Sequence, residues 1–251
     1  MASPVVRAAA SLGLSSLVVD LSHSSANDLS SPQIHKEVCQ SIREDFITCV
    51  GIEIVCATWS LARRAPQHSS MPSAVRDSHQ YLFGLPNLVG KDAIAVKTGN
   101  KQYRYALQII HLCIAKSIRG YLENPRNSRL FLIPGIQKLV RLKQAFFVDT
   151  HFCQYGTQWM KPTRFLVWGI APTDLSLLTC SMTNGRCSMS GKRHLQLSGL
   201  QNGRFLTSAA QVYPQKLASH LMQQLLQAAP KAAAASPDET AIHSSCRSGC
   251  C

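Results

Sequence analysis

The chain has 251 residues, with 26 Lys and Arg against 13 Asp and Glu, a formal net charge of +13 and 45% apolar side chains. That much apolar material in a chain of one to two domain lengths excludes wholesale disorder, and no apolar run reaches the ~18 residues of a membrane helix. Ten cysteines are scattered rather than packed into a short frame, which points to reduced thiols or metal ligands before disulfides.

Residues 1–16 carry Arg7 and no acid, the composition of a targeting-like segment or an unstructured end. Leu17-Val18-Val19 predicts a short buried strand ending at Asp20. Ser31-Pro32 predicts a helix start, with Ile34, Val38, Ile42 and Phe46 as its apolar stripe. Val50–Val55 reads as a second strand with Cys56 at its C-terminal end. Residues 65–92, rich in Pro, Ser and His, read as a long loop. A strong helix follows, with Val96, Tyr103, Leu107, Ile110, Ile114 and Ile118 on one face.

Tyr121-Leu122 predicts a short strand leading into Glu123-Asn124-Pro125, where the proline holds the acid in a turn. A helical stretch is expected from Ser128, interrupted at Pro134-Gly135, and then strands at Ala145–Val148 and Phe165–Trp168. Asn202-Gly203 predicts a hairpin, and Leu217, Leu221 and Leu225 share a helix face. Strands alternating with helices predict an α/β fold whose sheet is largely parallel in the first two-thirds. The organisation expected is an unstructured or targeting end (1–16), an α/β domain (17–174), a C-terminal basic region closed by a helix (175–228) and a disordered tail (229–251).

Charge is uneven. Residues 93–171 hold twelve Lys and Arg and two acids, Glu123 and Asp149, and residues 175–237 hold six bases and no acid. Such a field attracts phosphates, so nucleic acid is the expected partner; a solvated basic face is the plainer reading. Function in open α/β sheets gathers at the carboxyl ends of strands, which singles out Asp20, Cys56 and Glu123. A thiol leaving a strand can be a nucleophile when cations favour its thiolate, and Arg63 and Arg64 are near in sequence. Read alone, Cys56 is as readily a buried structural cysteine, and Glu123 a helix cap or a partner for Arg126.

In order along the chain stand Cys56-Ala57-Thr58-Trp59-Ser60, Glu123-Asn124-Pro125, and Gln154-Tyr155-Gly156 running on to Lys161 and Arg164. This series resembles the DNA cytosine-5 methyltransferase family, and more closely a divergent group associated with mobile elements. The resemblance spans roughly residues 17–220. It implies a Rossmann-like methyltransferase sheet in which Cys56 adds to C6 of a flipped-out cytosine. It further implies that Glu123 contacts N3, Arg164 steadies the substrate, and Asp20 binds the ribose of S-adenosylmethionine. DNA as partner and a nuclear location follow from the same likeness. The chain departs from the family in two places: no Phe-x-Gly-x-Gly loop is present, and Val55 replaces the proline before the nucleophile. The expectation is therefore an N-terminally incomplete sheet with impaired or lost methyl transfer. The competing expectation is a non-enzymatic basic nucleic-acid-binding module with structural zinc, left from a mobile element.

Cys180-x6-Cys187-x6-His194, with Cys153 upstream, supplies three thiols and an imidazole. Tetrahedral Zn2+ accepts such a set, and Asn184-Gly185 and Ser190-Gly191 can supply the turns between ligands. Unrelated core cysteines are the alternative. The terminal Cys250-Cys251 resembles the doubly prenylated end of Rab GTPases, but the chain has no Gly-x4-Gly-Lys phosphate loop, and a frayed tail is expected instead.

Overall fold

The computed structural model describes residues 3–19, 28–61, 63, 73–197, 200–201 and 204–228. Its centre is a four-stranded sheet of β1 (Cys49–Glu53), β2 (Arg119–Pro125), β3 (Ala145–His151) and β4 (Pro162–Trp168), in the order β1-β2-β4-β3. β1 and β2 pair in parallel, while β4 runs antiparallel to both β2 and β3. The fold is mixed α/β and the sheet is open and mixed; the expectation of a largely parallel sheet is corrected. Pattern alone could not show this. Phe165, Leu166, Val167 and Trp168 are all fully buried, and a strand buried on both faces carries no signal of direction.

Alternation along the strands divides the side chains between two cores. On the first face, Ile52, Leu122, Leu166 and Trp168 pack against α2 (Pro32–Arg43), α3 (Gly90–Ala115) and α4 (Pro134–Arg141). α3 is a 26-residue helix that returns the chain from β1 to β2, burying Val96, Tyr103, Ala106 and Ile110. Pro134 opens α4 rather than interrupting a helix, since the first-turn N–H that proline lacks has no helical partner. On the second face, Tyr121, Phe165 and Val167 pack against α5 (Gln215–Gln227), whose Leu217, Leu221 and Leu225 are fully buried. Leu175 and Leu177 join this same core, so residues 175–228 complete the sheet's second layer rather than forming a region apart.

Four further expectations are corrected. Pro4–Ser11 forms α1, capped by the Ser3 side chain, and buries Ala8 and Ala9 against Ala218 and Met222 of α5. Leu17–Val19 forms no strand, and Leu17 is exposed. Phe46 lies beyond the end of α2 and is exposed. Glu123 and Asn124 are strand residues, not turn residues: β2 continues to Pro125 because its partner β4 stays in register as far as Thr163. A two-stranded hairpin pairs β5 (Leu200–Gln201) with β6 (Arg204–Phe205); its turn residues Asn202 and Gly203 lie outside the described residues, as do Asp20, Arg64 and the 229–251 tail. Among the described residues no helix is long and apolar enough to cross a membrane.

Candidate functional site

β3 runs antiparallel to β4, as β2 does, so β1, β2 and β3 all end at the same edge of the sheet. Cys56 follows β1, Glu123 lies near the end of β2, and Cys153 follows β3. Cys56 opens a 3-10 turn, Cys56–Thr58, and is half-buried. Two groups tie this turn to β2 and to the 3-10 turn Arg129–Leu132 that follows it. Asn124, fully buried, donates from Nδ2 to the Ile54 carbonyl at 2.9 Å. Arg129 donates its backbone N–H to Trp59 O (2.9 Å) and Nη1 to Ser60 O (3.1 Å). Beneath the turn, Arg76 stacks on the Trp59 ring at 3.5 Å and donates to Thr58 Oγ1, Val96 O, Leu82 O and Asn100 Oδ1. Val55 stands where the family resemblance expects proline, and these contacts now fix the backbone that carries the thiol.

Glu123 pairs across the sheet with Glu53 on one side and Phe165 on the other. It is buried, and burial raises its carboxyl above the ordinary range, opposed by the nearby Lys161 ammonium. Lys161 Nζ stands 3.5 Å from Glu123 Oε1 and lies over the Phe152 ring at 4.4 Å. Cys56 feels both groups. Burial and then the Glu123 charge raise its thiol, while Lys161 lowers it. Arg63, near in sequence, does not serve this thiol: it binds Asp92 at 2.9 Å and Ser73 O at 3.0 Å, and Arg64 lies outside the described residues. Lys161 was legible only as the boundary of a motif. No local spacing connects it to Glu123, because the link runs across β2 and β4.

Arg164 lies elsewhere. It sits opposite both Asn124 and Asp149 in the sheet, so its side chain leaves the face opposite that of Glu123. There it clamps Asp149 through Nε (2.7 Å) and Nη2 (2.9 Å), with Arg126 adding a third contact at 3.0 Å. The Arg164 guanidinium also lies 4.8 Å from the Phe147 ring centre. Cys56 and Glu123 are thus brought together, and Arg164 is held apart from them.

The second constellation assembles as a unit. The ligand atoms of Cys153, Cys180, Cys187 and His194 all lie within 4.8 Å of one another, with the three cysteines buried. Cys180 Sγ is 3.8 Å from His194 Nε2, a few tenths of an ångström beyond the ~3.5 Å sulfur–nitrogen edge of a tetrahedron with ~2.3 Å metal–sulfur and ~2.0 Å metal–nitrogen bonds. Left-handed Asn184 (φ 52°), Gly185 (φ 72°) and Gly191 (φ 68°) turn the chain between ligands. Around Cys187 the chain closes a tight knuckle, with Gly191 N bonded to Cys187 O (2.9 Å) and Cys187 N to Lys192 O (2.8 Å). Burial raises the Cys187 thiol, but N–H groups of Ser190 and Met189, the Ser190 hydroxyl and His194 outweigh it and bring it to about 6. Ser188 N donates to Cys180 Sγ, and Gln154 Nε2 to the sulfurs of Cys153 and Cys187. Cys153, buried beside two other sulfurs, is pushed up to about 12, so without a cation its thiol stays protonated. The cluster could hold a metal ion. Cys39, Cys49 and Cys113 are by contrast core thiols raised by burial.

The chain matches no family model, no curated protein and no solved structure.

Proposed function

We propose that this chain is a nucleic-acid-binding protein of the DNA cytosine-5 methyltransferase type, with a structural zinc ion and with impaired methyl transfer. The observation that carries the reading is the pairing of Cys56 and Glu123 at the carboxyl ends of two neighbouring parallel strands, β1 and β2. A thiol there can add to C6 of an extruded pyrimidine while the neighbouring acid, whose burial favours its protonated form, donates to N3. In this reading the sheet is the C-terminal part of a Rossmann-like methyltransferase sheet. S-adenosylmethionine has no comparable support: the chain has no Gly-rich turn after a strand, and Asp20 lies outside the described residues. No step through that cofactor is assigned.

Impairment has a physical basis. Burial and the Glu123 charge both disfavour the Cys56 thiolate, and the thiolate is the attacking species. Zinc is the metal that a tetrahedral Cys3His set accepts, and a closed four-ligand set is structural rather than catalytic. Its role is to brace residues 180–194, a loop that exposes Arg186, Lys192 and Arg193 and contains no acid. This is a surface for phosphates at the same sheet edge as Cys56. The same loop favours the second reading, a binding module whose cysteine does no chemistry.

One experiment separates the two. An oligonucleotide carrying 2-pyrimidinone offers an electrophilic C6 that a thiol can add to without a methyl donor. Wild-type protein is expected to form an adduct slowly, seen by intact mass, and Cys56→Ala none. Salt-sensitive binding with no Cys56-dependent adduct would leave the binding module as the function.

A further inference from the structure

The metal cluster and the Cys56–Glu123 pair are joined by one short connection, residues 151–161 between β3 and β4. At its start, Cys153 supplies a ligand sulfur. At its end, Met160 packs against the three-cysteine cluster while its neighbour Lys161 reaches Glu123. The connection is closed on itself: Phe152 N donates to Met160 O at 2.8 Å and Lys161 O at 3.4 Å, and the Phe152 ring lies under the Lys161 ammonium. It is also tied to the strand of ligands that follows. Thr150 Oγ1 and His151 N both donate to Leu178 O, Cys180 N donates to His151 Nδ1, and Leu195 N donates to Gln158 O. Lys161 itself adopts φ 28°, a left-handed conformation that a lysine does not choose unaided. Two structures pack against this connection and can hold it there: the ligand loop, through Met160 and Cys153, and α5 with Tyr213 before it, through the Phe152 ring and the Tyr155 hydroxyl.

We propose that the metal centre positions Lys161: an ion bound by Cys153, Cys180, Cys187 and His194 fixes the 151–161 connection and so holds the Lys161 ammonium on Glu123 beside Cys56. Metal occupancy then sets the charge that the nucleophile experiences, at a distance and without contact. This rests on the zinc and nucleophile assignments made above.

The test needs neither DNA nor a methyl donor. Zinc-loaded protein is alkylated with iodoacetamide, and modification of the Cys56 peptide is followed by mass spectrometry, with zinc content measured on the same sample. Chelation is expected to slow Cys56 modification roughly three- to tenfold, the change in thiolate fraction made by half to one pKa unit. Lys161→Met in loaded protein should slow it equally, chelation of Lys161→Met should add nothing, and Lys161→Arg should restore the loaded rate. Non-additivity of this kind marks two changes acting through one link. Chelation that leaves the Cys56 rate unchanged, that speeds it through loss of the fold, or that slows Lys161→Met as much as wild type, overturns the proposal. A failed zinc assignment shows separately, as protein that takes up no zinc. A failed nucleophile assignment shows only in the pyrimidinone experiment, with the alkylation pattern intact.

Discussion

At the scale of single residues, two carboxylates of similar sequence surroundings have opposite electrostatics. Burial opposes ionisation of Asp149, but Arg164 and Arg126 outweigh it and hold its carboxyl below the ordinary range. Its folded pKa lies under the unfolded value, so its stabilisation is complete above about pH 4 and fades as pH falls below that. Arg164→Ala should therefore cost about 1–2 kcal/mol in urea unfolding at pH 7, a partly exposed pair of charge-assisted bonds being worth that much. The loss should shrink on acidification, while Cys56 alkylation stays at the wild-type rate because Arg164 occupies the other sheet face. Glu123 has the reverse sign. Its raised folded pKa gives stability below the unfolded value that is lost as pH rises. Glu123→Gln should make the protein more stable at pH 7 in the same assay and speed Cys56 alkylation, since the charge opposing the thiolate is gone. A slower Cys56 in Glu123→Gln would refute the electrostatic account of that thiol.

At the scale of elements, the turn carrying Cys56 is held from outside itself. Asn124→Ala removes the buried bond to Ile54 O and should cost about 1–3 kcal/mol by denaturant unfolding. Helices α2, α3 and α5, and the strand before Cys56, were legible because their apolar positions repeat at the helical or strand period, as in Val96, Tyr103 and Ile110 on α3 and Leu217, Leu221 and Leu225 on α5; α1 and the opening of α4 at Pro134 were not. The length of β2 was not. Its last residues are Glu123, Asn124 and Pro125, which look like a turn until β4 is present to pair with them. The clustering of Cys180, Cys187 and His194 was legible because identical six-residue gaps separate them, although Cys153 comes from a different element altogether. For this loop the expectation is about one zinc per chain by elemental analysis, falling below ~0.2 in Cys180→Ser/Cys187→Ser, since losing two of four ligands abolishes a structural site.

At the scale of the whole molecule, the net charge of +13 is an average over unlike surfaces. The ligand loop is basic without any acid, whereas Arg126 and Arg164 are spent on Asp149 and Arg119 on the end of α5, where it donates to the carbonyls of Leu225, Leu226 and Ala228. DNA affinity should consequently depend on particular cations and not on the total. Lys192→Ala/Arg193→Ala should lower the slope of log affinity against log salt by about 2 in fluorescence anisotropy. Removing two cations elsewhere, as in Lys138→Ala/Arg141→Ala on α4, should change it less; equal effects would disperse the proposed surface. The antiparallel insertion of β4 belongs to this scale too, and was illegible in sequence because strand direction is settled by the connections and not by composition.

The docking of α1 on α5 has a consequence in time. Arg7 bonds Gln215 across 208 residues of chain, and Ala8 and Ala9 find their cover on Ala218 and Met222. During synthesis α1 therefore waits for α5. At about 5–20 residues per second that interval is roughly 10–40 s, and for about the last 2–10 s of it the α5-facing side of the sheet, with Tyr121, Phe165 and Val167, lies bare. Arrival of α5 completes the sheet's second layer and covers α1 in a single late event, and until that event synthesis leaves the face open to aggregation.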